Sequence, residues 1–78
     1  MSKHADALVV LEEVAVSLKE SAEQVQRGDA FEEGRLLGYY EALSTLLSQC
    51  AVADITPEDI GLAGFTPENL LKMNKKAA

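Results

Sequence analysis

The chain has 78 residues, of which 47% are apolar, 26% charged and 5% aromatic, and its seven Lys/Arg stand against thirteen Asp/Glu for a formal charge of −6. That length allows one domain at most, the apolar content is too high for a disordered chain, and no apolar run approaches the ~18 residues of a membrane span. The acidic balance argues against binding a phosphate backbone, and one cysteine with one histidine builds neither a disulfide framework nor a protein metal site.

Domains this small bury only about 60% of the surface their unfolded chain exposes. Without disulfide or metal, self-association or a protein partner is the common way to add buried area. Near the N-terminus the apolar run Ala7 to Leu11 is five residues long and is stopped by Glu12 and Glu13. A signal peptide needs at least ~7, so none is expected. A lone free cysteine suits a reducing cytoplasm.

The spacing predicts a first helix over residues 4–27. Leu8, Leu11, Ala15, Leu18, Ala22 and Val25 recur at steps of 3 and 4, a heptad-like seam. A second stripe, Val10, Val14, Ser17 and Ser21, lies beside it, and together they are expected to make a buried face that is wide in the N-terminal half and narrower later. Glu12, Glu13, Lys19, Glu20 and Glu23 occupy the remaining surface, and Lys19–Glu23 and Glu23–Arg27 are spaced as i,i+4 ion pairs. Gly28 fits the residue past a helix end. Asp29 fits the N-cap of the next helix, with Glu32 as its capping-box partner. So short a connection makes the two helices antiparallel neighbours.

A second helix is predicted over residues 30–53, with Leu36, Tyr40, Leu43, Leu47 and Cys50 as its seam and Phe31, Leu37, Tyr39 and Leu46 widening it. Ala30, Gly34, Gly38 and Ala42 fall at successive i+4 steps. Each helical Gly costs up to ~1 kcal/mol against Ala, so the stripe suggests a close approach of backbone. Tight packing against the first helix is the first expectation, a dimer contact the second and a ligand seat the third. Tyr40 is in phase with the leucines. Tyr39, about 100° away, falls at the boundary, first as a core-edge residue with a solvated hydroxyl and second as an interface anchor.

Beyond Asp54, Ile55-Thr56-Pro57-Glu58-Asp59-Ile60 is echoed ten residues later by Phe65-Thr66-Pro67-Glu68-Asn69-Leu70. Each copy reads as a helix start: Thr as N-cap, Pro in the first position, an acid in the first turn, and flanking apolar residues as a hydrophobic staple. Asp59 completes a capping box, and Asn69 is a weaker version. Short helices over 57–61 and 67–75 follow, with Lys72, Lys75 and Lys76 in the last turn. Ile60, Leu62, Phe65, Leu70 and Leu71 are expected to fold back over the hairpin. The fold class is therefore all-α: a long antiparallel helical hairpin and two short C-terminal helices, expected to complete a bundle as a homodimer.

Little in this chain points to chemistry. Cys50 sits on the apolar seam, and the only histidine is His4 near the chain end, so a packing cysteine is expected rather than a nucleophile. Glu12–Glu13 and Glu32–Glu33 read as solvated face rather than acid/base pairs. Gly34 and Gly38 lie inside a helical pattern, not in a phosphate-cradling loop. No catalytic residue, cofactor or metal is expected. Residues 1–71 hold four basic and thirteen acidic side chains, net −9, against +3 from the three lysines of residues 72–78. A negative body disfavours nucleic acid and anionic membrane and favours a basic protein surface.

The expected function is a non-enzymatic interaction module that binds, inhibits or holds a larger protein, in the manner of immunity proteins, inhibitors, adaptors and secretion chaperones. Its contact is expected at Phe31, Gly34, Arg35, Gly38 and Tyr39, steered by Glu12, Glu13, Glu20 and Glu23. An acidic nucleic-acid mimic and a small-ligand binder seated beside the glycines are the alternatives.

Overall fold

The computed structural model describes residues 3–72, except for the side chain of His4. The far part of the terminal helix expected over residues 67–75, with Lys75 and Lys76, lies outside the described residues.

Two helices, α1 (Lys3–Glu23) and α2 (Ala30–Val52), form the hairpin. A 3-10 turn, α3 (Pro57–Ile60), and one turn of helix, α4 (Glu68–Leu71), follow. There is no strand among the described residues. The chain is elongated, 50 × 18 × 17 Å.

The seams pack as their spacing requires. Ala15, Ala22 and Val25 meet Leu36, Leu43 and Cys50, and all six are buried. Leu11, Leu18, Leu46 and Leu47 close the edges. Leu8, at the open end of the hairpin, is 36% exposed. Asp29 caps α2: its carboxylate accepts from the Glu32 amide at 2.8 Å. The Glu32 carboxylate turns forward instead of back and pairs with Arg35 at 3.0 Å.

α1 stops at Glu23, four residues short of the expected Arg27. The final turn loosens through Gln24 N–H to Glu20 O and Ser21 O, both 3.2 Å. The chain then turns so that Val25 enters the core. Gly28 lies beyond the helix end at φ 146°, inside the loop and not at its start. Leaving the helix also redirects Arg27. Its expected partner Glu23 pairs with Lys19 at 3.4 Å. Arg27 instead grips Glu33, with Nη2 to Oε1 at 2.8 Å and Nε to Oε2 at 3.0 Å. Its Nη1 donates to the Leu71 carbonyl at 3.0 Å. One guanidinium thus ties the hairpin loop, the start of α2 and the end of α4 together. The bond to Glu33 is the main cause holding the Arg27 pKa above its ordinary value.

The C-terminal segment folds back over one side of the hairpin. Ile60, Leu62, Phe65 and Leu70 are buried as expected; Leu71 is not, at 43% exposed. It follows Leu70 on a single helical turn and so points about 100° away, outward. The two Thr-Pro copies differ. Thr56 makes the full box: its Oγ1 accepts from the Asp59 amide at 3.2 Å, and its own amide donates to Asp59 Oδ2 at 2.9 Å. In the second copy Pro67 is the cap residue and no side-chain cap bond forms. Asn69 offers an amide where Asp59 offers a carboxylate, and the turn is held by the Asn69 amide on Thr66 O at 2.9 Å. Gly61 stops α3 at φ 75°.

Candidate interaction surface

An antiparallel hairpin has two flanks and two outer faces, and the sequence furnishes each differently. One flank is covered. Gly61 lies against α1 there, where an added Cβ would come within 3.0 Å of Val16 Cγ2 and 3.1 Å of Glu12 Cγ. On α2 the same flank carries Tyr40, whose hydroxyl reaches Glu68 at 3.5 Å. Lys19 lies 5.9 Å from the centre of the Phe65 ring.

The opposite flank is open. Val14 is about 160° around the helix from Val16, and Tyr39 about 100° from Tyr40. Both therefore face away from the C-terminal segment. They line a groove of about 330 Å³ with Ser17, Leu18 and Ser21, and Glu13 stands at its rim. The stripe expected to widen the buried face is instead exposed, Val14 at 49% and Val10, one turn earlier, at 60%, because the C-terminal segment covers the other flank.

The outer face of α2 carries most of the expected contact residues. Phe31 is 74% exposed. Gly34 and Gly38 have nothing within 4 Å of where a Cβ would sit. Tight packing of the glycine stripe against the first helix, the first expectation, is thus overturned: the stripe points to solvent, because the phase that buries Leu36 and Leu43 turns Gly34 and Gly38 outward. Arg35 and Tyr39 lie between this face and the open flank. Hydrogen bonding to Glu32 first, and to Tyr39 second, raises the Arg35 pKa. Val52, at the far end of α2, is 83% exposed; the apolar count alone did not single it out, although helical phase places it with Gly34 and Thr45.

The four acids named for steering are all exposed on α1. Glu13 shares the rim of the groove that Tyr39 lines; the other three are not brought beside the α2 contact residues. Glu13 and Glu20 point outward from α1, Glu12 borders Gly61, and Glu23 is paired with Lys19. Any steering by Glu12, Glu20 and Glu23 acts across the width of the molecule.

No residue with a polar or charged side chain is fully buried among those described. The Arg27 side chain is 8% exposed, and the Ser44 hydroxyl is buried. No group of three His, Cys, Asp or Glu side chains comes together among the described residues. Cys50 is buried and unpaired. No described helix is long and apolar enough to cross a membrane. No protein-family model, curated protein or solved structure matches the chain.

Proposed function

We propose that this protein is a non-enzymatic interaction module that holds a larger protein partner on the outer face of α2 and works as a homodimer in the cytoplasm. The observation that carries the reading is the pairing of Phe31, 74% exposed, with Gly34 and Gly38, whose positions are open to solvent. An exposed phenylalanine and two helix-weakening glycines have no use within the chain. Together they make a protruding apolar anchor beside a strip where another backbone can come close. Buried aromatic anchors dominate binding energies at interfaces. The helix beneath is firmly seated through Leu36, Leu43 and Cys50, so little ordering is lost on binding. Arg35 adds a donor fork at the edge, and the acids of α1 favour approach by a basic partner surface.

The test is affinity capture of the tagged protein in a salt series, alongside Phe31→Ala and Gly38→Leu. The expected result is one stoichiometric protein retained by the parent chain at high salt and lost by both variants, with helicity unchanged. Equal capture by all three chains would refute the assignment of this face. A mixture of basic proteins released at modest salt would point instead to the nucleic-acid mimic.

A further inference from the structure

The open flank of the hairpin carries a second pair of seams. On α1, Ala7, Val10, Val14, Ser17 and Ser21 recur at steps of 3, 4, 3 and 4. On α2, Arg35, Tyr39, Ala42, Leu46 and Gln49 recur at steps of 4, 3, 4 and 3. A helix in an isolated hairpin needs one such seam, toward its neighbour. A helix in a four-helix bundle needs two adjacent ones. Both helices have the second seam, and the groove lined by Val14 and Tyr39 places the two seams on the same flank. The first seams are filled within the chain, and the C-terminal segment occupies the other flank. On α1 the second seam is uncovered, with Val10 at 60% and Val14 at 49% exposure, and on α2 Tyr39 and Leu46 are half-buried at the edge of the core, with Arg35, Ala42 and Gln49 exposed.

We infer that a second copy of this chain covers this flank, pairing hairpin to hairpin in a two-fold four-helix bundle. Three observations favour that occupant. The spacing of both open seams matches antiparallel helices with the same 3-4 repeat, which a second hairpin supplies. The seams contain no acidic residue, and their one charge, Arg35, is already paired with Glu32 at 3.0 Å. Two chains of charge −6 can therefore meet along these seams with carboxylates only at the rim, where Glu13 stands, whereas a basic partner would be drawn to the acids of α1. Area agrees as well. Two helices of about 20 residues side by side span about 30 Å, and the molecule is 18 Å wide, so the flank projects about 500 Å². Side-chain relief raises the accessible area toward the about 800 Å² per partner of a stable dimer.

In this bundle the two C-terminal segments lie on opposite outer sides. Gly34 and Gly38 turn away from this interface, and Phe31, in helical phase with Gln49, stands at its edge, so the glycine strip stays available to the proposed partner.

Sedimentation velocity from 1 to 100 µM tests the inference with Val10→Glu, Val14→Glu and Val52→Glu. All three sites are exposed, so each variant should keep the helical circular dichroism of the parent. The parent chain is expected at twice the 8.4 kDa chain mass at tens of micromolar. Val10→Glu and Val14→Glu should each weaken dimerisation at least tenfold, and Val52→Glu should leave it unchanged. A monomeric parent at 100 µM overturns the inference, as does a dimer that survives both flank variants or is broken by Val52→Glu. Partner capture is read separately: a monomer that still captures its partner removes the bundle and the homodimer but leaves the partner face standing, and a dimer that captures nothing removes only the partner face.

Discussion

Replacing glycine by alanine should have opposite signs at different places in this chain. In a helix interior, Gly is about 0.8–1.0 kcal/mol less favourable than Ala because more backbone freedom is lost on folding. Gly34 and Gly38 lie within α2, and a new Cβ at either meets nothing within 4 Å. No steric term opposes the gain. Gly34→Ala and Gly38→Ala should each stabilise by about 0.8–1.0 kcal/mol, and the pair by about 1.5–2 kcal/mol. For a domain of this size that raises Tm by about 4–8 °C per kcal/mol. Gly61 is the internal control. It stands at φ +75° with Val16 Cγ2 3.0 Å from its Cβ position, so Gly61→Ala combines a left-handed conformation with a clash and should cost about 1–2 kcal/mol. Thermal and urea unfolding followed by circular dichroism, at fixed protein concentration, gives all four values. Destabilisation by either helix substitution would mean that the stripe packs against something in the folded molecule and would refute the outward phase of α2.

The other predictions concern caps, the arginine clamp and a buried hydroxyl. Thr56→Ala removes a formed capping box and should cost about 1 kcal/mol, whereas Thr66→Ala, where no side-chain cap bond forms, should cost less than half as much; equal costs by urea unfolding would contradict the asymmetry. Arg27→Ala should speed amide exchange selectively over residues 62–71, because it frees the Leu71 carbonyl and Glu33 together; a uniform change along the chain would show that the clamp does not hold the C-terminal segment. Ser44 Oγ is buried with no hydrogen-bond partner, so Ser44→Ala should be neutral or stabilising by up to about 1 kcal/mol, and a loss above that in the same melts would reveal an unseen partner.

Periodicity made the hairpin readable in advance. Leu36, Leu43 and Cys50 are buried where their spacing puts them, and Asp29 caps where a cap was expected. The folding back of Ile60, Phe65 and Leu70 was legible from the staple positions of the repeat, and that of Leu62 from its place between the two copies. The end of α1 was not, because Arg27 leaves the helix for partners 6 and 44 residues away in sequence, and local spacing carries no trace of them. The glycine stripe was misassigned for a different reason. Four small residues in a row say that something can approach, but only the phase of the buried seam says from which side. That phase was available in Leu36 and Leu43, and it turns Gly34 and Gly38 outward. Whether a stripe beside the core seam is filled by the chain itself also depends on where the C-terminal segment docks. Gly61 against Val16 and Tyr40 against Glu68 decide it.

The measurement that tests the account most directly is a photo-crosslinking scan in cytosol of the source, with the reactive group placed in turn at positions 14, 31, 38 and 58. Position 14 should yield a product of twice the chain mass. Positions 31 and 38 should yield one common adduct with a larger protein, and position 58 neither. The same adducts at all four positions, or a common larger adduct from 14 and 58 with none from 31 and 38, would contradict a hairpin that gives one flank to its own copy and the outer face of α2 to its partner.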